Sequence, residues 1–271
     1  MKIAVIGGDA RMREVSRRIS DMGFICLGQN AKSKNEIYSA VSASDAIILP
    51  MPCKKGEYLN APFSNDGIPF DELMSVCGKN RLILGGMVGI NAECIVDYAN
   101  REELLIRNAV PTAEGAIAIA MEEMKTTLHG SRALVLGYGR IGFCLAERLK
   151  HLGADTTVAA RSLKSRALAV NSGLNAVGFD NFEASLSGCD VVFNTIPQKI
   201  LDADALSALR TGTAIIDLAS LPGGVDDYAA SALGIRVIHA LALPGKVAPI
   251  TAGGIIADTV ISILRERGII K

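Results

Sequence analysis

The sequence predicts an α/β protein of two domains, each a doubly wound parallel sheet, joined by helices and enclosing a cleft between them. Two observations predict it. Short apolar runs alternate with helix-spaced stretches along the whole chain, and a strand, a glycine turn and a helix follow one another near its middle. A length of 271 residues leaves room for both domains to bury a core.

The first series of strand-like runs is Ile3 to Ile6, Phe24 to Leu27, Ala46 to Leu49, Leu82 to Leu84 and Leu104 to Ile106, with helical stretches between them. This βαβ pattern defines a first domain over residues 1–110. Within it, Pro50 to Pro69 reads as a long irregular connection, either one that closes over the cleft with Lys54 and Lys55 near an anionic substrate or a disordered or partner-binding loop. Pro111 stands where a helix start tolerates proline, and Thr112 is a candidate cap, so residues 111–128 form a connecting helix. The second series is Leu134 to Leu136, Thr157 to Ala160, Ala176 to Phe179, Val191 to Asn194, Ala214 to Leu218 and Val237 to Ala240, a second domain over residues 129–248. Thr251 to Arg267 repeats apolar residues at helical spacing, so residues 249–271 make a last helix, expected to return to the first domain and so create the cleft.

The chemistry is concentrated in Arg132 to Gly142, which reads RALVLGYGRIG. An apolar strand turns through spaced glycines into a helix whose Ile141, Leu145, Leu149 and Leu152 share one face. Gly137 permits the tight turn, Gly139 admits a pyrophosphate to the backbone, and Gly142 lets helix and strand approach. The unit is therefore Rossmann-like, and Gly137, Tyr138, Gly139, Arg140, Ile141 and Gly142 are candidate dinucleotide contacts. Its second strand ends at Ala160, Arg161 and Ser162, with no acid there to accept bonds from an NAD ribose. Arg161 offers a planar cationic fork with the Ser162 hydroxyl beside it, and Lys164 and Arg166 add charge, so NADP is favoured over NAD, which remains possible. Thr195, Ile196 and Pro197 end a later strand on the cofactor side, and Asp217 to Ser220, one strand on, are expected to face the nicotinamide.

Other classes fall away. The formal net charge is zero and no long basic run appears, which argues against nucleic acid as the main partner. The six cysteines lie far apart, as reduced thiols would, and no metal site is expected. No leader is visible and no apolar stretch approaches the ~20 residues that span a bilayer, so the expectation is a cytoplasmic protein without a membrane partner. His129, His151 and His239 make no constellation, and no HExxH or phosphate-loop motif occurs.

Three pieces, Gly7-Gly8-Asp9-Ala10-Arg11, the segment Pro111 to Gly142, and Ala242 to Pro249 (ALPGKVAP), together resemble the A-subunit family of dipicolinate synthase over nearly the whole chain. The resemblance implies oxidation of dihydrodipicolinate to dipicolinate during bacterial spore formation, a small dicarboxylate substrate, and a second, B-subunit partner; a homo-oligomer is expected. For that reaction Lys246 is the candidate base or carboxylate ligand, and Asp9 and Arg11, where the first strand opens a helix, are candidate substrate contacts. In the plainer reading Asp9 caps the helix and Arg11 is solvated. Thr112 and Glu114, at the expected start of the connecting helix, complete the candidate set. The alternatives are a different two-domain dehydrogenase of a small acid, as in shikimate dehydrogenases, and a catalytically silent protein that only binds a dinucleotide.

Overall fold

The computed structural model describes residues 1–270. In chain order its elements are β1 (Lys2–Val5), α1 (Ala10–Asp21), β2 (Ile25–Leu27), α2 (Lys34–Ser42), β3 (Ala46–Ile48), β4 (Lys54–Lys55), β5 (Tyr58–Leu59), α3 (Phe70–Cys77), β6 (Leu82–Gly85), β7 (Ile95–Asp97) and α4 (Glu102–Glu123). There follow β8 (Arg132–Leu136), α5 (Arg140–His151), β9 (Asp155–Ala159), α6 (Leu163–Asn171), β10 (Asn175–Val177), α7 (Glu183–Leu186), β11 (Val191–Asn194), α8 (Ala203–Ser207), β12 (Ala214–Asp217), α9 (Asp227–Ala232), β13 (Val237–His239), α10 (Leu243–Val247) and α11 (Pro249–Glu266). Two compact units result, one of residues 1–108 with 244–271, the other of residues 109–243.

The first unit is a parallel sheet in the order β2-β1-β3-β6-β7. Ile3, Ala4 and Val5 of β1 are at most 1 % exposed, as a strand covered on both faces must be. Val15 and Ile19 of α1 pack with Ile256 and Val260 of α11 on one face, and Ile37, Val41 and Leu73 of α2 and α3 cover the other. Helix α11 belongs here because Gly253 lets it lie directly on α1: a Cβ at that position would stand 2.5 Å from the Arg11 carbonyl oxygen. An ion pair from Arg18 to Asp258 at 2.9 Å reinforces the contact, and Arg107 of α4 reaches the same carboxylate at 2.8 Å.

The second unit is a six-stranded parallel sheet in the order β10-β9-β8-β11-β12-β13. Alanines of α4 (Ala113, Ala116, Ala120) and leucines of α5 (Leu145, Leu149) fill one face, and Leu186, Leu206 and Ala230 of α7, α8 and α9 fill the other. In both units the chain first builds one way from its opening strand and then the other. The reversals lie between β1 and β3 and between β8 and β11, where open α/β sheets bind ligands beyond the strand ends.

Several expectations are corrected. Leu104 to Ile106 is not a strand: it lies in α4, whose 22 residues run through Pro111 rather than starting there. An apolar triplet reads equally as strand or buried helix, and burial of Leu104, Ala109, Ala113 and Ala116 holds the helix together despite the amide hydrogen that proline lacks. By length and composition α4 could also cross a bilayer, contrary to the sequence expectation, yet its buried alanines make it a core helix. The fifth strand of the first unit is instead β7, whose terminal Asp97 accepts the N–H groups of Met87 and Val88 at 2.9 Å each. Part of the connection from Pro50 to Pro69 is an antiparallel hairpin, β4 with β5.

Candidate functional site

The register of the second sheet sets the site. Leu136 pairs with Ala159 on one side and Asn194 on the other, so the next residues, Gly137, Ala160 and Thr195, emerge together at one edge. They rim a cavity of about 530 Å³. Tyr138, Gly139, Arg140 and Ile141 line it from the glycine turn, Ala160, Arg161 and Ser162 from beyond β9, and Thr195, Ile196 and Pro197 from beyond β11. Ser165 and Phe179 also line it; their own sequence contexts carry no motif, and only the fold brings them there.

The three glycines are required for different reasons. Gly137 has φ +97°, and a Cβ on it would meet the Thr195 hydroxyl at 2.5 Å, so it is fixed by the turn itself. Gly142 lies behind the cavity wall, where a Cβ would stand 2.1 Å from the Gly137 carbonyl oxygen, so helix and turn touch backbone to backbone. Among the described residues, no atom beyond its chain neighbours lies within 4 Å of the Cβ position of Gly139, whose φ is a negative −83°. Neither the turn nor the packing of the chain needs a glycine there, whereas a ligand lying against the backbone does.

The start of α5 fits the same ligand. Gly139 is its N-cap and supplies no side-chain bond, while α6, α8 and α9 are capped by Ser162, Asp202 and Asp226. The start of α5 therefore has no side-chain cap and suits a diphosphate. Among the described residues, Arg140 and Arg161 are the charged ones lining the cavity, and no Asp or Glu lines it. Tyr138 stacks edge-on against Phe143 at 5.5 Å between ring centroids, and burial raises the pKa of its hydroxyl.

Behind the rim, Asn194 and Asp217 form a buried brace. Asn194 Nδ2 donates to Asp217 Oδ1 at 2.8 Å and to the Ile196 carbonyl at 3.0 Å, and the Ile196 N–H returns to Asn194 Oδ1 at 3.1 Å. The Asp217 carboxylate also accepts the N–H groups of Ala219 and Gly224, both at 3.1 Å. With 1 % exposure and these bonds, the Asp217 side chain supports the loop and does not face a nicotinamide, which corrects the expectation for that residue. The Ser162 hydroxyl is likewise committed, accepting the Ser165 N–H at 3.0 Å as the cap of α6.

In the first unit Asp9 caps α1, accepting the Arg11 N–H at 3.0 Å. Arg11 is not solvated: at 8 % exposure its guanidinium donates to both Asp9 carboxylate oxygens and, at 2.7 Å, to the Met51 carbonyl. Burial pushes the Asp9 carboxyl up, and the Arg11 hydrogen bonds and charge outweigh it, leaving the pKa below the usual range. Gly245 of α10 rests on this pair, since its Cβ would stand 2.9 Å from Asp9 Oδ2. Lys246 follows in the same short helix, not in a loop, and is exposed. Thr112 and Glu114 stand mid-helix in α4, where no free N–H groups wait for a carboxylate. Thr112 is buried, and Glu114 is exposed, 3.8 Å from Arg148.

A glycine cradle at the switch point of a doubly wound sheet, with an uncapped helix start and an acid-free wall, defines a nicotinamide dinucleotide-binding oxidoreductase of the dehydrogenase type. Residues 107–233 match the D-isomer specific 2-hydroxyacid dehydrogenase NAD binding domain, and residues 2–104 match the N-terminal domain of the dipicolinate synthase A-subunit. The chain belongs to the A-subunit family of dipicolinate synthase. It is 35 % identical to the dipicolinate synthase A-subunit of Bacillus subtilis (strain 168), over 98 % of this chain and 96 % of that one. The crystal structure of the A-subunit from Bacillus halodurans superposes with a TM-score of 0.85 at 30 % identity, covering 97 % of each chain. That of the Bacillus subtilis protein gives 0.83 at 32 % identity, covering 98 % of this chain and 96 % of its own.

Proposed function

We propose that the protein oxidises dihydrodipicolinate to dipicolinate with NADP as hydride acceptor, in the cytoplasm of a spore-forming bacterium. The observation that carries the cofactor choice is Arg161, exposed on the rim of an acid-free cavity, where an NAD enzyme places a carboxylate for the ribose. The names of the full-length relatives support the product.

The oxidation removes a hydride and a proton from a dihydropyridine ring and leaves an aromatic pyridine, so aromaticity supplies driving force. Bound NADP supplies the hydride acceptor. The chain has to hold two carboxylates in place and accept one proton. Lys246 is exposed on α10, next to the Gly245 that rests on the Asp9–Arg11 pair, and is assigned to the substrate, as carboxylate ligand or as base. Asp9 and Arg11 act through each other: the pair fixes the start of α1 and the Met51 carbonyl and supports Gly245. Thr112 and Glu114 lose the role that rested on a helix start. The relatives' designation as an A-subunit supports a companion B-subunit, and a homo-oligomer remains part of the reading. The test is NADP reduction by the purified chain on freshly generated dihydrodipicolinate, with and without that companion.

A further inference from the structure

Arg161 differs from the cations around it in how its charge is used. Arg166 turns to the Ala160 carbonyl at 3.3 Å, beside Gly178 and Asp180, and Lys199 pairs with Asp226 at 3.0 Å. Arg161 makes no ion pair among the described residues; its Nη2 donates to Gln198 Oε1 at 3.0 Å. The two side chains come from loops beyond β9 and β11, the strands on either side of β8, so their bond crosses the end of the strand that carries the glycine turn. Gln198 directly follows Pro197, the last of the rim residues on that side.

The choice of amide over carboxylate at this position has a direct electrostatic consequence. The Gln198 oxygen accepts a hydrogen bond from the guanidinium and orients it, yet leaves the cationic charge uncompensated. A glutamate in its place would form an ion pair with Arg161 and set a negative charge on the same rim. We propose that Gln198 is a positioning residue for the dinucleotide preference: it orients Arg161 without neutralising it, so that Arg161 presents its positive charge to a ribose 2′-phosphate. This rests on the NADP reading above and adds to it a second residue, one outside the glycine motif and outside the strand end that carries Arg161.

The experiment is titration of the full chain with NADPH and, separately, NADH at low salt, read by nicotinamide fluorescence, for wild type, Gln198→Glu and Gln198→Ala. Gln198→Glu is expected to weaken NADPH about five-fold while NADH stays within about two-fold, and Gln198→Ala, which only frees the guanidinium, to lose less of the preference. If wild type prefers NADPH and Gln198→Glu keeps the same ratio, Gln198 has no part in it and the inference is overturned. Equal losses of both dinucleotides in Gln198→Glu overturn it too, because they report damage to the loop. A wild type that binds both alike overturns instead the NADP reading on which the inference rests.

Discussion

Asn194 and Asp217, the last residues of adjacent strands β11 and β12, share a hydrogen bond of 2.8 Å between side chains that are 0 % and 1 % exposed. The bond matters beyond its own strength because Asn194 also holds the Ile196 backbone and Asp217 the turn at Gly224. Substituting Asp217 by Ala leaves three buried donors unsatisfied and is expected to cost about 2–4 kcal/mol, read as a fall in the urea midpoint. A loss below about 0.5 kcal/mol would show that the brace is dispensable.

Gly139 and Gly142 separate binding from folding. Gly139→Ala meets open space and keeps stability within about 0.5 kcal/mol, yet it obstructs the diphosphate and should weaken either dinucleotide strongly. Gly142→Ala drives a methyl group against the Gly137 carbonyl and should cost about 1–3 kcal/mol in stability. Thermal melts paired with NADPH titration distinguish the two, and similar melting temperatures for both variants would refute the division of roles.

Arg161→Ala should weaken NADP binding by about 1.5–3 kcal/mol, the range for hydrogen bonds to charged groups, with NAD scarcely affected. Isothermal titration with both cofactors measures it. Equal effects on the two would remove the 2′-phosphate role.

Acid should loosen the first unit through Glu14. Its carboxyl is lowered from 4.5 to about 2, chiefly by the Arg17 hydrogen bond, with burial opposing and Arg18 adding to the shift. A carboxyl depressed in the folded state contributes stability that is complete above the unfolded pKa near 4.5 and disappears as pH falls toward 2. Wild type should therefore lose more stability than Glu14→Gln between those limits. Parallel urea curves of the two proteins across that range would contradict it.

Much of this architecture was legible because it is written locally. The run from Arg132 to Gly142 carries strand period, turn glycines and helix period in succession, and burial on both faces made the other central strands apolar throughout. The helix through Pro111 was not legible, since proline marks a start or an interruption equally well and tertiary burial decided between them. Gln198 and Asp217 gain their meaning from partners 37 and 23 positions away in sequence, and Arg11 from Met51, 40 away. Spacing along the chain holds no trace of those pairings.

The proposed reaction is NADP-linked oxidation of dihydrodipicolinate. It is tested most directly by following NADPH absorbance and dipicolinate formation together when the purified chain, alone and with its companion, meets freshly generated substrate. NADPH and dipicolinate are expected to appear in equal amounts, with NAD a poorer acceptor; dinucleotide binding without reduction under either condition would contradict that reaction and identify a silent binding protein.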